Sequence, residues 1–188
     1  MSFKIFKQNM LAYMQNQRGV DSTQSFAKRL TTEYDLLIRR GFQIVNQVPI
    51  QKGNKELMEQ LVQLALIKGL QQRSGLHDVI NDIGKGIVGY WTGATLSNLP
   101  PPIIPAVGAV QNISTTSALV TNPGDFPDLG PSIPTDNSEV FINQLINAIK
   151  IHLLSIEGIY NTISLYPGAP PPPPAPGFLD WRGFQIQS

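Results

Sequence analysis

A chain of 188 residues with net charge +1 and no cysteine suits one domain, or one compact body with arms, whose core needs no covalent staples. The missing cysteines exclude disulfides, thiolate metal ligands and a cysteine nucleophile, and His77 and His152 are too few for a histidine-built metal site. No apolar run approaches the ~20 residues of a membrane span, and Lys4, Lys7 and Gln8 interrupt any secretory leader, so folding in a reducing cytoplasm is expected.

The first predicted helix covers Ser2 to Gln17, where Phe3, Phe6, Met10, Tyr13 and Met14 recur at steps that make one apolar stripe. Gly19 stops it. Asp21 with Gln24 three residues on has the arrangement of a capping box, and a second helix runs from there to about Arg40 on Phe26, Leu30, Tyr34, Leu37 and Ile38. A third begins near Asn54; Leu57, Leu61, Leu64, Leu66 and Ile67 spread over more than one stripe, which predicts a central position. A break at Gln72–Gly75 precedes a fourth helix from Leu76 to Trp91. Its glycines at 84, 86 and 89 lower helix propensity and suit close approach to a neighbouring helix.

Residues 97–135 are rich in proline and lack a helical period. Ala106 to Val110 and Ser117 to Val120 read as short strands within them, and Asn122-Pro123-Gly124-Asp125 reads as a turn. Asp136 and Glu139 then open a long helix to about residue 166, on Val140, Phe141, Leu145, Ile149, Leu153, Ile156, Tyr160 and Ile163. A second proline run (Pro170 to Pro174, Pro176) leads into Phe178, Trp181, Phe184 and Ile186, a segment able to add a strand to a sheet edge. The expected class is mainly α: a helical bundle with two extended proline-rich arms and a few short β strands. Its parts are 1–96, an N-terminal helical region; 97–135, an extended or β arm; 136–166, a long helix packing on the body; and 167–188, a C-terminal arm.

No chemistry emerges from the motifs. Gly84-Lys85-Gly86-Ile87-Val88-Gly89 matches a dinucleotide pattern, but that pattern needs a strand before it and a helix opening at it, and Asp78 to Ile83 reads as helix. His77, Asp78 and Asp82 lie within about one helical turn, without a second cluster to complete a metal site. His152 falls mid-stripe between Ile149 and Leu153. No serine or acid sits in a nucleophile elbow or an acid pair. The reading is of a protein that is not an enzyme and has no cofactor.

Proline fixes φ and lacks a donor, so both proline runs are expected to be extended, and their aromatic tips to anchor on neighbours. The predicted assembly contacts are Tyr90, Trp91, Ile103, Ile104, Tyr166, Phe178, Trp181 and Phe184. Charge supports association. Only 14% of residues are charged, and charge is depleted at interface centres. Residues 1–40 carry seven basic side chains against three acids, and residues 93–188 only Lys150 and Arg182 against six acids. Copies can therefore attract head to tail, with Arg29, Arg39 and Arg40 facing Asp125 and Asp128. The basic side chains form no arginine-rich run with stacking aromatics, which points away from nucleic acid.

The segments Phe6-Lys7-Gln8-Asn9-Met10-Leu11-Ala12-Tyr13-Met14, Phe26-Ala27-Lys28 with Glu33-Tyr34-Asp35, Lys52-Gly53-Asn54, Gly89-Tyr90-Trp91-Thr92-Gly93-Ala94, Val120-Thr121-Asn122-Pro123-Gly124 and Leu165-Tyr166-Pro167 follow one another in an order that resembles small virion structural proteins. The resemblance is to tailed bacteriophages, especially contractile-tailed phages of marine and cyanobacterial hosts, and it covers nearly the whole chain. It implies a multi-copy particle component made in the host cytoplasm and does not itself distinguish neck, tail, baseplate or capsid; the favoured expectation is the neck, tail or connector region. Its partners would be copies of itself, in a ring or lattice, and other virion proteins. A capsid-associated accessory protein and a cytoplasmic proline-rich adaptor or scaffold are the alternatives. Deleting 167–188 is expected to leave a folded helical body that fails to incorporate.

Overall fold

A computed structural model of the chain describes residues 2–16, 22–43, 49–97, 103–106, 109–130, 137–165 and 175–186. The molecule is mainly helical, with antiparallel strands. α1 (Phe3–Asn16) and α2 (Thr23–Ile38) follow the predicted stripes, burying Phe6 and Met10 from one and Leu30, Tyr34, Leu37 and Ile38 from the other. The start of α2 differs from expectation. Ser22 is the cap, its hydroxyl accepting from Ser25 N at 3.1 Å, whereas Asp21 lies outside the described residues. Serine and aspartate cap almost equally well, so two adjacent candidates are not separable by residue type.

α3 (Lys55–Gln72) begins behind Asn54, whose side chain accepts from Leu57 N at 3.2 Å, and ends where Arg73 turns left-handed at φ 51°. α4 (Leu76–Trp91) packs along α3. The glycines of α4 permit that approach: a Cβ on Gly86 would press into Val62 and the Met58 carbonyl, and one on Gly89 into Leu57 and Leu61. Being inside a helix, the GxGxxG match forms no phosphate-cradling loop.

α5 (Ser138–Ser155) is capped by Asn137, which accepts from Glu139 N at 2.9 Å and Val140 N at 3.3 Å; Asp136 lies outside the described residues. The helix expected to reach residue 166 stops eleven residues earlier. Ser155 Oγ turns back onto His152 O at 2.8 Å, and Gly158 follows. The stretch beyond is Ile159, Tyr160, Thr162 and Ile163, β-branched and aromatic residues that favour a pleated surface. Ile159, Ile163 and Leu165 also fit a two-residue period, so the same letters that extend a helical stripe serve a strand.

Eight strands complete the described residues. β1 (Gly41–Gln43) pairs antiparallel with β8 (Phe184–Ile186). The larger sheet runs β2 (Ile50–Lys52), β3 (Thr95–Leu96), β5 (Ala109–Asn122), β6 (Glu157–Leu165), β7 (Ala175–Arg182), with β4 (Ile103–Ala106) also on β5. Thr95 faces Leu119 and Ile103 faces Asn112, so β3 and β4 follow one another along the same side of β5. β5 is 14 residues long, about 46 Å at the usual rise, and contains the segment Ser117–Val120 read as a strand. The segment Ala106–Val110, read as one strand, is instead divided where the chain reverses, with Ala106 ending β4 opposite Ala109 at the start of β5. Asn122 Oδ1 then accepts from Gly124 N at 3.0 Å, with Gly124 at φ 80°, which is the turn expected there.

The two proline-rich segments are therefore not separate polyproline arms among the described residues. They supply β4 and β7 to one antiparallel sheet, where Pro105 and Pro176 sit on strands with a single neighbour, the place in a sheet that tolerates a missing donor. Residues 98–102 and 166–174, which hold the longest proline runs, lie outside the described residues. Among the described residues, β4 to β7 make their extensive contacts with one another and with β3, while the helices pack on helices and α5 also on β8. One core joins them at the base: Phe6, Leu30, Tyr34, Val62, Ile87, Trp91, Leu96, Leu145, Ile149 and Phe184 are all buried in it.

Candidate interaction surface

Three of the predicted anchors point inward. Tyr90, Trp91 and Phe184 are fully buried in the chain's own core, which corrects their reading as contacts to a neighbour. The helical register explains it: Tyr90 and Trp91 end α4 on the face that carries Ile80, Ile83 and Ile87. Trp91 Nε1 donates to Tyr34 Oη at 2.9 Å, and Tyr90 Oη donates to Asp35 Oδ1 at 2.7 Å. Burial raises both tyrosine pKa values well above the ordinary range. Ile103, Ile104, Phe178 and Trp181 belong to β4 and β7 by their backbone, and their side chains, like all of Tyr166, lie outside the described residues.

The charged residues expected to meet a neighbour are mostly engaged at home. Arg29 pairs with the buried Glu33 at 2.6 Å, and Asn9 Nδ2 donates to the same carboxylate at 2.8 Å. Arg39 Nε donates to Asp35 Oδ2 at 2.9 Å, with Lys55 Nζ 3.6 Å away. Burial pushes the Asp35 carboxyl up. Hydrogen bonds from Arg39 and Tyr90, with the charges of Arg39 and Lys55, outweigh that and hold it below the usual carboxylate range. Asp128 Oδ1 accepts from Asn81 Nδ2 and from Gly130 N, both at 2.9 Å. Arg40 and Asp125 are exposed.

One open feature among the described residues is apolar. A groove of about 580 Å³ lies between the first turn of α1, the last turn of α5 and β8. Phe3, Leu153, Leu154, Phe184 and Ile186 line it, with Lys4 and Lys150 at its margin. Lys150 Nζ sits 5.2 Å from the centroid of the Phe3 ring. Leu154 and Ile151, three residues apart on α5, are each 57% exposed, so the C-terminal end of this helix presents apolar residues to solvent, beyond the polar Glu139, Asn143 and Asn147 of the same side. That apolar end was available in the sequence: Ile151 and Leu154 interleave with the Ile149–Leu153 stripe, and apolar side chains on the outer side of a helix end invite cover.

A second recess of about 500 Å³ gathers Arg39, Lys52 and Lys55 around the start of α3. Two of those cations already serve Asp35, which makes it a structural cluster. Among the described residues no group of three or more His, Asp and Glu could hold a metal ion, and no helix is long and apolar enough to cross a membrane. His77 and Asp78 open α4, and Asp82 pairs with Lys68 and Lys85. No protein-family model matches the chain, and neither a curated protein nor a solved structure does.

Proposed function

We propose that the chain is a structural subunit of a bacteriophage particle, present in several copies and placed in the neck, tail or connector region. The observation that carries this reading is the open apolar groove with the exposed Leu154 and Ile151 beside it. Apolar surface of that kind gains about 25 cal/mol per Å² when a neighbour covers it. A neighbouring copy suits it: the groove's margin is basic, through Lys4 and Lys150, and residues 93–188 of the next copy are predominantly acidic. The segment-by-segment resemblance to phage virion proteins gives the setting. Mass spectrometry of purified particles from a phage carrying this gene tests it. The expected result is the chain in many copies per particle; particles that form and infect without it contradict the proposal.

A further inference from the structure

We infer that β7 is an assembly edge, which pairs antiparallel with β7 of a second copy about a two-fold axis. The inference deepens the multi-copy reading above and rests on it. The larger sheet ends in β7 on one side and in β2 and β4 on the other, and among the described residues no strand lies outside β7.

The two sides differ in what their backbones offer. Ala106 faces Ala109 across the end of the β4–β5 hairpin, and residues that flank a two-residue loop exchange both hydrogen bonds. Alternation then makes Ile103 and Pro105 the outward positions of β4. Pro105 has no N–H, so this edge keeps one outward donor and is blunted, as natural edge strands commonly are. β7 is eight residues long against four in β4, and its register with β6 is unbroken from Glu157 opposite Arg182 to Ser164 opposite Ala175. Pro176 has nothing to donate to β6, which puts it at an outward position. By alternation Phe178, Asp180 and Arg182 are outward too, and each has an N–H to give.

A head-to-tail contact between β7 and the short, blunted β4 would leave most of these donors unmatched. Self-pairing does not. With Leu179 opposite Leu179 of the second copy, residues 176–182 overlap fully. Phe178 then exchanges hydrogen bonds with Asp180 of the second copy, and Asp180 with its Phe178, while Arg182 N–H meets the carbonyl of Pro176. Asp180 falls opposite Phe178, whereas a register one residue away would set Asp180 against Asp180, a like-charge pair that destabilises a sheet.

The chain has no cysteine, so a single introduced one reports the axis. In the full-length protein, Leu179→Cys is expected to oxidise to a disulfide-linked dimer at least tenfold faster than Gly177→Cys on the same strand. Asp180→Pro removes one outward donor per copy without touching the ladder to β6. It is expected to weaken the two-fold contact at least tenfold in dissociation constant, while the thermal midpoint measured at concentrations where both proteins are single chains stays in place. Equal oxidation rates at 177 and 179 overturn the inference. If the wild-type protein is still multimeric in that case, the multi-copy reading survives and only the edge assignment fails; a strictly monomeric wild type removes both.

Discussion

The ring of Phe184 meets that of Trp91 edge-on, with centroids 5.0 Å apart and planes at 65°. Two residues far apart in the chain thus close one core, and the C-terminal strand that carries Phe184 is tied to the body through β1. Deleting 167–188 should consequently unfold part of the body rather than merely prevent incorporation, the reverse of the expectation from sequence. Phe184→Ala isolates the effect: a loss of about 3–5 kcal/mol, as for other buried Phe→Ala changes, read from urea denaturation.

Asp35→Asn should cost about 1–3 kcal/mol, because Tyr90 Oη and Arg39 lose a charged acceptor inside a closed site. The pH dependence has a definite sign. The folded carboxyl is held below its unfolded range, so its stabilisation is present above pH ~4 and disappears as pH falls through the folded value. Chemical denaturation at successive pH values should show a shallower acid limb in Asp35→Asn than in the wild type.

His152 works in a higher window. Burial lowers its pKa to about 4, against smaller raising effects from the hydrogen bond to Pro123 O and the charge of Asp125. An unfolded histidine takes up a proton near pH 6.5, so stability should fall from about pH 6.5 downward to about pH 4, by up to ~3 kcal/mol in all. His152→Gln, with an amide able to donate to the same carbonyl, should flatten that slope while remaining folded at pH 7. An unchanged slope in the variant would contradict the assignment.

Much of the helical body was legible from residue spacing, and the reasons are local. Gly75, Asn54 and the α4 stripe mark ends and faces by short-range chemistry, and Gly86 and Gly89 sit where a flat helix surface was expected. The sheet was less legible. Tyr160 and Ile163 continue the helical stripe while Ile159, Ile163 and Leu165 fit a strand, and what decides is the long-range partner β5, more than thirty residues upstream. The anchors failed for a related reason: an aromatic beside proline looks the same whether it fills its own core or a neighbour's. Trp91 became buried through Tyr34 and Phe184, neither of them near it in sequence.

Gly84 offers a test of the segment between β5 and α5. In a helix interior, Gly→Ala usually gains up to about 1 kcal/mol. Here the added methyl would run into the Phe126 ring, which also tilts against His152 with centroids 5.9 Å apart. Gly84→Ala is therefore expected to destabilise by about 1–3 kcal/mol, the usual cost of overpacking. Phe126→Leu in the same chain should recover part of the loss, and thermal melts of the single and double variants give the coupling directly.

The central claim is that neighbouring copies cover surface this chain leaves open. Light scattering of the purified protein across concentration, with Leu154→Glu beside it, tests this most directly. The account requires wild-type masses that are multiples of 20.6 kDa and a shift toward the single-chain mass in Leu154→Glu. A wild type that stays at one chain's mass at every concentration would contradict it.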